Sequence, residues 1–255
     1  RLVGSEMCIR DSSNTITKPL IEIIEKERRE EENRREFIAT ISHELKTPIT
    51  IISGQLEGMI YNIGKYKDRD KYLKESYTST QELKDLVNEM IEISKTDIMS
   101  ASFKPTTLSV KELVEVILKR QEFLIDEKNL KTRVAISSDA KINADKDKFS
   151  KALYNIINNA IKYTPENGDV NVKIFADKDD AVIKVSDTGM GIPKEDQARI
   201  FERFYRVDKA RSRESGGTGL GLAIVKHIVR LFDGEINVTS ELGVGTKIVI
   251  TIPLN

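Results

Sequence analysis

Cysteine is almost absent: Cys8 is the only one in 255 residues, so no disulfide can form within the chain, and a reducing compartment suits it better than an oxidising one. Net charge is absent too. Forty-one basic and forty-one acidic side chains cancel, which favours neither general nucleic-acid affinity nor adhesion to anionic lipid. Any partner must therefore be read from particular sites. No run approaches the roughly 18 apolar residues that a membrane-spanning helix needs, and no signal-peptide hydrophobic region opens the chain. What the chain does have is length enough for two compact domains, or one domain and a long helical module, each able to bury a core.

Residues 1–14 carry no clear period, and residues 1–17 are read as a disordered or non-native end. From Lys18 the pattern turns helical, with Pro19 suited to a first turn. Residues 25–36, EKERREEENRRE, contain no apolar side chain but place Glu25 and Arg29, Glu30 and Arg34, and Glu31 and Arg35 at i,i+4, where opposite charges support an exposed helix. So polar a helix needs an outside reason to form, such as pairing with a copy of itself or rigidly joining two modules. Residues 18–36 are read as this linker helix.

An apolar stripe then resumes at Phe37, Ile38, Ile41, Leu45, Ile49, Ile52 and Leu56. After a turn in YNIGKYKD, a second helix is expected from about Asp68 to Asp97, burying Tyr72, Leu83, Leu86, Val87, Met90, Ile91 and Ile93. Such a hairpin buries only part of its apolar surface alone, and dimerisation into a four-helix bundle would bury the rest. The period breaks near Ser100 to Pro105, which sets a boundary between residues 37–102 and 103–255. Beyond it the order reads helix (109–127), strand (133–136), helix (145–163), strands (170–176 and 181–186), a long loop, helix (219–232) and strands (235–239 and 246–252). That order describes an α+β sandwich, a sheet with helices on one face.

His43 stands in FIATISHELKTPI. At roughly 100° per residue it lies roughly 160° from Ile41 and Leu45, so it faces water. Glu44 adjoins it, Thr47 lies one turn on, and Pro48 removes a hydrogen bond to the Glu44 carbonyl, which predicts that the helix bends or loosens beside the histidine. An exposed histidine beside a carboxylate can accept a phosphoryl group, one ring nitrogen attacking while Glu44 orients the imidazole or takes its proton. Taken alone, a surface histidine before Glu is usually just a surface residue.

On the helix from Asp145, the stripe Phe149, Leu153, Ile156, Ile157 and Ala160 reads as buried. Asn155, Asn159 and Lys162 share another face, with Tyr163 at its end. Amide oxygens suit Mg²⁺ and an ammonium suits phosphate, although a merely wet helix face reads the same way. Asp187 ends a strand in KVSDTGMGIP, with Gly189 and Gly191 following. A carboxylate there can select adenine through its amino group, or the segment is a plain turn. Gly216, Gly217, Thr218, Gly219, Leu220, Gly221 and Leu222 open a helix, where successive amides bind phosphate; a flexible linker is the alternative. The spacing is neither a dinucleotide-binding fingerprint nor a Walker A loop. Between the glycine clusters, Phe201 and Phe204 followed by Arg206, Lys209, Arg211 and Arg213 suit a mobile lid with a cationic tip.

In this order, ISHELKTP, NIINNAIKYTPENG, DTGMGIP, IFERFYR and GGTGLGLAIVK resemble the H, N, first glycine, F and second glycine boxes of the sensor histidine kinases of two-component signalling, across roughly residues 37 to 252. The resemblance implies a dimerisation and histidine phosphotransfer domain at 37–102 and a Bergerat-type ATP-binding domain, as in gyrase and Hsp90, at 103–255. It makes His43 the phosphorylated side chain, Glu44 its acid/base partner and Asn159 a Mg²⁺ ligand with Asn155 nearby. It sets Lys162 and Tyr163 on phosphate or ribose and Asp187 on adenine. It also implies that Gly189 and Gly191 shape the base pocket, and that Phe204, Arg206 and the stretch from Gly217 to Leu222 frame the ATP lid. Glu44 to Thr47 fit an ExxT pattern linked to dephosphorylation of the partner. The implied cofactors are ATP and Mg²⁺. The implied partners are a response regulator receiver domain and a second copy of the chain, with no nucleic acid. The implied setting is the cytoplasmic portion of a longer protein anchored in the bacterial membrane through upstream segments. A clamp ATPase with water as acceptor, or a dimeric module with ATP as a conformational ligand, are the competing readings.

Overall fold

The structure is a computed structural model. It describes residues 3–98, 104–137, 141–207 and 218–254, with side chains in the first two helices limited to residues 20–21, 23–29, 31–32 and 34–91. Contacts divide the chain into two units, Arg1–Lys84 and Asp85–Asn255.

In the first unit, helix α1 (Val3–Ile60) is continuous. It begins upstream of the start read at Lys18, because a helix needs no apolar stripe to keep its backbone ladder and Pro19 forfeits only one amide. It also runs unbroken through Pro48. Ion pairs Arg29–Glu25 (3.4 Å), Arg35–Glu31 (3.0 Å) and Arg28–Glu32 (3.1 Å) form along its polar stretch, while the Glu30 side chain lies outside the described residues. A 3-10 turn (Gly64–Lys67) leads to helix α2 (Arg69–Ile98), which belongs to this unit as far as Lys84 and to the second unit beyond it. At the turn, a Cβ on Gly58 would fall 2.3 Å from the Tyr66 ring, which in turn packs on Tyr72 at 4.6 Å between centroids. Across the hairpin, Ser76 Oγ donates to Gln55 Oε1 (2.7 Å) and Gln55 Nε2 to Glu75 Oε2 (3.2 Å), both Gln55 and Ser76 being buried. This polar pair fixes the register between the helices, since a slip would strand its groups.

The apolar stripes are only half covered. Tyr72, Leu86 and Met90 are buried as read, and Leu83 is half-buried, but Val87 and Ile91 are exposed, as are Ile38, Ile49 and Leu56. Ile93 lies outside the described side chains.

The second unit is built on a five-stranded sheet. Its elements are β1 (Thr106–Ser109), α3 (Val110–Arg120), α4 (Glu122–Glu127), β2 (Lys131–Ile136), β3 (Lys141–Ala144), α5 (Lys146–Tyr163), β4 (Asp169–Asp177), β5 (Asp180–Asp187), α6 (Gly221–Leu231), β6 (Glu235–Glu241) and β7 (Gly245–Pro253). The sheet order is β2-β4-β5-β7-β6, with β2 parallel to β4 and the other pairs antiparallel. One helix read over 109–127 is two, broken at Gln121 (φ −97°, ψ 2°). The small sheet of β1 and β3 escaped the sequence reading, because four residues are too few to show a period.

Strand alternation sends one row of side chains to each face. Val172, Val185, Ile248 and Val238 pair in register toward the core, as do Ile174, Ile183, Ile250 and Ile236. Arg133, Asn171, Ser186 and Lys247 lie across the other face. Helices α3, α5 and α6 supply the apolar side chains of the core, among them Val114, Phe149, Leu153, Ile157, Ile224 and Ile228, and Phe149 meets Phe232 edge-on at 5.9 Å. Each large side chain so buried stabilises the fold by about 1.5–3 kcal/mol. Helix α5 starts where Asp145 Oδ1 accepts the amides of Asp147 and Lys148 (3.1 and 3.2 Å). It ends at Tyr163 because Pro165 holds Thr164 in extended backbone (φ −81°, ψ 130°).

Candidate functional site

His43 is exposed on α1, while its helical neighbours Ile41, Glu44 and Leu45 are half-buried. Thr47 is also exposed, and its hydroxyl donates to the His43 carbonyl at 3.2 Å. The helix therefore presents the imidazole to solvent, as the wheel required.

The remaining candidates converge in the second unit, where α5, the loop after β5 and the start of α6 meet. Asp187 ends β5 with its Oδ1 accepting two amides, from Gly189 (2.8 Å) and Thr246 (3.2 Å). Both bonds fall on one oxygen, which leaves Oδ2 for a ligand donor. Burial raises the Asp187 carboxyl above the usual carboxylate range, and the two amides partly oppose that. Gly189 is needed for space, since a Cβ would fall 2.7 Å from both Asp187 Oδ1 and the Tyr163 carbonyl. Gly191 takes φ 70° against Glu241. Met190, between them, donates its amide to the Tyr163 carbonyl (3.3 Å), tying the glycine loop to the end of α5.

On α5, Asn155 is buried and its Nδ2 donates to the Gly221 carbonyl (3.2 Å), so this amide joins α5 to the first turn of α6. Asn159 and Lys162 are half-buried one turn apart, and Lys162 Nζ sits 5.6 Å from the ring centroid of the exposed Tyr163. Leu220 is fully buried and anchors the start of α6. Gly221 and Leu222 follow half-buried, and Thr218 Oγ1 accepts the Leu220 amide (3.2 Å). Helix α6 starts at Gly221, two residues after the point read from sequence.

The Phe204 amide donates to the Gly219 carbonyl (3.0 Å). Gly216, Gly217, Lys209, Arg211 and Arg213 lie outside the described residues. Just inside the loop, Arg206 has Nε and Nη2 buried without an acceptor among the described residues. Two buried guanidinium nitrogens without an acceptor among the described residues suit an anion.

These groups fit a magnesium nucleotide. A second Asp187 oxygen could accept from an amino group, the Arg206 guanidinium could meet phosphate oxygen, and the Asn159 amide oxygen suits a hard cation. No cluster of three or more His, Cys, Asp or Glu that could hold a metal occurs among the described residues.

Three residues that sequence reasoning missed also shape the site. Thr246 binds Asp187 through its backbone, which leaves no side-chain signal. Asp196 accepts the Tyr205 hydroxyl (2.5 Å) beside the lid base and holds that phenol above its usual range. Lys128 donates to three carbonyls at the end of α5. It sits in an unremarkable EKN turn, and only the strand of carbonyls without partners at a helix end would have hinted at it.

Residues 144–255 match the histidine kinase-, DNA gyrase B- and HSP90-like ATPases, and residues 33–97 match the His Kinase A (phospho-acceptor) domain. The sensor histidine kinase WalK of Bacillus subtilis is 38% identical over 92% of this chain and 39% of its own length. Among solved structures, the histidine kinase AdeS of Acinetobacter baumannii has a TM-score of 0.69 at 27% identity, covering 84% of this chain and 98% of its own. The histidine kinase ThkA, solved in complex with the response regulator protein TrrA, shares the fold at a TM-score of 0.71 and 22% identity, over 96% of this chain and 66% of its own. The chain spans about half the length of the curated relatives it matches. No helix among the described residues is long and apolar enough to cross a membrane.

Proposed function

The chain belongs to the sensor histidine kinases of two-component signalling, and we propose that it moves the γ-phosphate of ATP onto His43 and then onto an aspartate in the receiver domain of a response regulator. The observation that carries this is an exposed histidine, within a phospho-acceptor match, on the same chain as a half-buried Asp187 carboxylate and an Arg206 whose Nε and Nη2 are buried without a partner among the described residues.

In the first step a ring nitrogen of His43 attacks the γ-phosphorus, a P–N bond forms, the bridging P–O bond breaks, and ADP leaves. Glu44 orients the imidazole and receives or stabilises its proton. Asp187 holds the adenine amino group. Arg206 and Lys162 meet phosphate charge, Tyr163 lies along the ribose or phosphates, and Asn159 would hold Mg²⁺, which when bound neutralises charge between the phosphates. Gly189 and Gly191 let backbone approach the base. Phe204 and the segment Gly217, Thr218, Gly219, Leu220, Gly221 and Leu222 frame the lid. The step requires His43, on the first unit, to be presented in line to phosphorus held on the second. In the second step the receiver aspartate takes the phosphoryl group and His43 is restored. Thr47 would position water if the same helix also dephosphorylates the partner.

In this reading residues 37–102 form the dimerisation and phosphotransfer domain, 103–255 the catalytic domain, and 18–36 a signalling linker. Exposed Ile38, Ile49, Leu56, Val87 and Ile91 support a second copy packing against the hairpin. The span of about half the length of the curated relatives fits a portion of a longer protein; that this portion is cytoplasmic and the whole is membrane-anchored through other segments is part of the same proposal.

Incubation with γ-labelled ATP is expected to leave an acid-labile label on the wild-type chain and none on His43→Gln. Equal labelling of His43→Gln would overturn the proposal. Phosphate release without label would favour the clamp-ATPase reading.

A further inference from the structure

The last carbonyls of a helix have no partner within it, and when half-buried they must find one elsewhere. At the end of α5 the accounting is complete. The Ala160 carbonyl receives the Thr164 amide and hydroxyl, and the Tyr163 carbonyl receives the Met190 amide. The carbonyls of Ile161, Lys162 and Thr164 all receive one atom, Lys128 Nζ, at 3.0, 2.7 and 2.9 Å. An ammonium has three N–H donors, and here each has its own acceptor.

Two further bonds set Lys128 in place. Its carbonyl accepts the Asn167 amide (2.9 Å), and the Lys131 amide donates to the Gly168 carbonyl (2.9 Å). The turn before β2 is thereby zipped to the turn after α5. The held helix end carries Lys162 and Tyr163, and through Met190 it is joined to the loop in which Gly189 bonds Asp187. A positive charge at this point also answers the negative end of the helix dipole.

We propose that Lys128 is a positioning residue for nucleotide binding: by capping the end of α5 it sets Lys162, Tyr163 and the Gly189 loop in the arrangement that receives ATP. Lys128 itself touches no substrate. The inference rests on the nucleotide-binding reading of this pocket. Burial draws the Lys128 ammonium below the usual lysine range, while Glu127 and Glu166 draw it back up. A neutral amine would keep only two donors for three carbonyls.

The test is ADP binding by titration, together with KM for ATP and kcat for labelling of His43, on the full chain. Lys128→Met is expected to raise the ADP Kd and the ATP KM about tenfold, equivalent to about 1.4 kcal/mol. The kcat at saturating ATP should stay within about twofold, because the lost interaction serves binding in ground and transition states alike. Lys128→Arg, which keeps the charge but fits three convergent carbonyls less well, is expected to recover part of the affinity. A folded Lys128→Met whose ADP Kd lies within twofold of wild type overturns the proposal, even if its melting temperature falls, because the lysine would then serve the fold alone. If Lys128→Met does not fold, Lys128→Gln, which retains an amide donor, is judged by the same Kd criterion. A wild type that binds ADP without labelling His43 refutes the kinase reading while leaving this test intact.

Discussion

The Phe204 amide donates to the Gly219 carbonyl at 3.0 Å, and the two residues press so closely that a Cβ on Gly219 would fall 2.7 Å from the Phe204 carbonyl carbon. Both have left-handed backbone, with φ of 63° and 73°. This contact lies between the chain that carries Arg206 and the start of α6, whose Gly221 carbonyl accepts from Asn155.

Gly219→Ala is expected to disturb this contact. The left-handed angle and the missing space together strain the substituted residue by on the order of 1–3 kcal/mol. Thermal melting should show a lower midpoint, and KM for ATP should rise. A variant with wild-type melting and KM would show that the contact is not needed.

Asp187→Asn should separate stability from binding. Burial raises the folded pKa above the unfolded value, so between the two the folded state holds a proton that the unfolded state has released. Stability from this group therefore declines as pH rises through that window, and above it the half-buried carboxylate is a cost. An asparagine oxygen can still accept from Gly189 and Thr246. Differential scanning calorimetry at pH 7 without nucleotide should show a melting temperature no lower than wild type, while ATP binding is lost. In the wild type, ATP affinity should weaken on acidification sooner than an ordinary carboxylate would cause.

Arg206→Met replaces a guanidinium with buried unpaired nitrogens by an apolar chain of similar reach. Without nucleotide the variant should melt at or above the wild-type temperature, since two buried donors without an acceptor among the described residues are removed. The rise in melting temperature that ATP produces should shrink, because that rise scales with affinity. An undiminished ATP-induced rise would exclude Arg206 from phosphate binding.

In the helical hairpin, Gln55→Leu leaves the Ser76 hydroxyl without its acceptor and should destabilise by about 1–3 kcal/mol. The double variant with Ser76→Ala should recover part of that loss. A double-mutant cycle by urea unfolding gives the coupling directly, and additive effects would mean the pair contributes no register energy.

Much of this protein was legible before any coordinates. The 3.6-residue period placed the core face of α5, and alternation placed β4, β5 and β7, because burial of one face is a local pattern. The azimuth of His43 was readable for the same reason, and the glycine and asparagine boxes carry their resemblance in linear order. Two short strands, the break at Gln121 and the start of α1 at Val3 were not readable, since none depends on a periodic apolar face.

What only the tertiary structure decided is which groups meet across the sequence. Asn155 is turned to the Gly221 carbonyl, Thr246 lends its amide to Asp187, and Arg206 is left without an acceptor in the described fold. Lys128 finds three carbonyls more than thirty residues away. A chain can advertise a side chain's chemistry and the face it occupies by spacing alone. Hydrogen bonds to backbone carry no residue code, so where the polar groups at the end of α5 and around Asp187 find partners is settled only when the strands and helices pack.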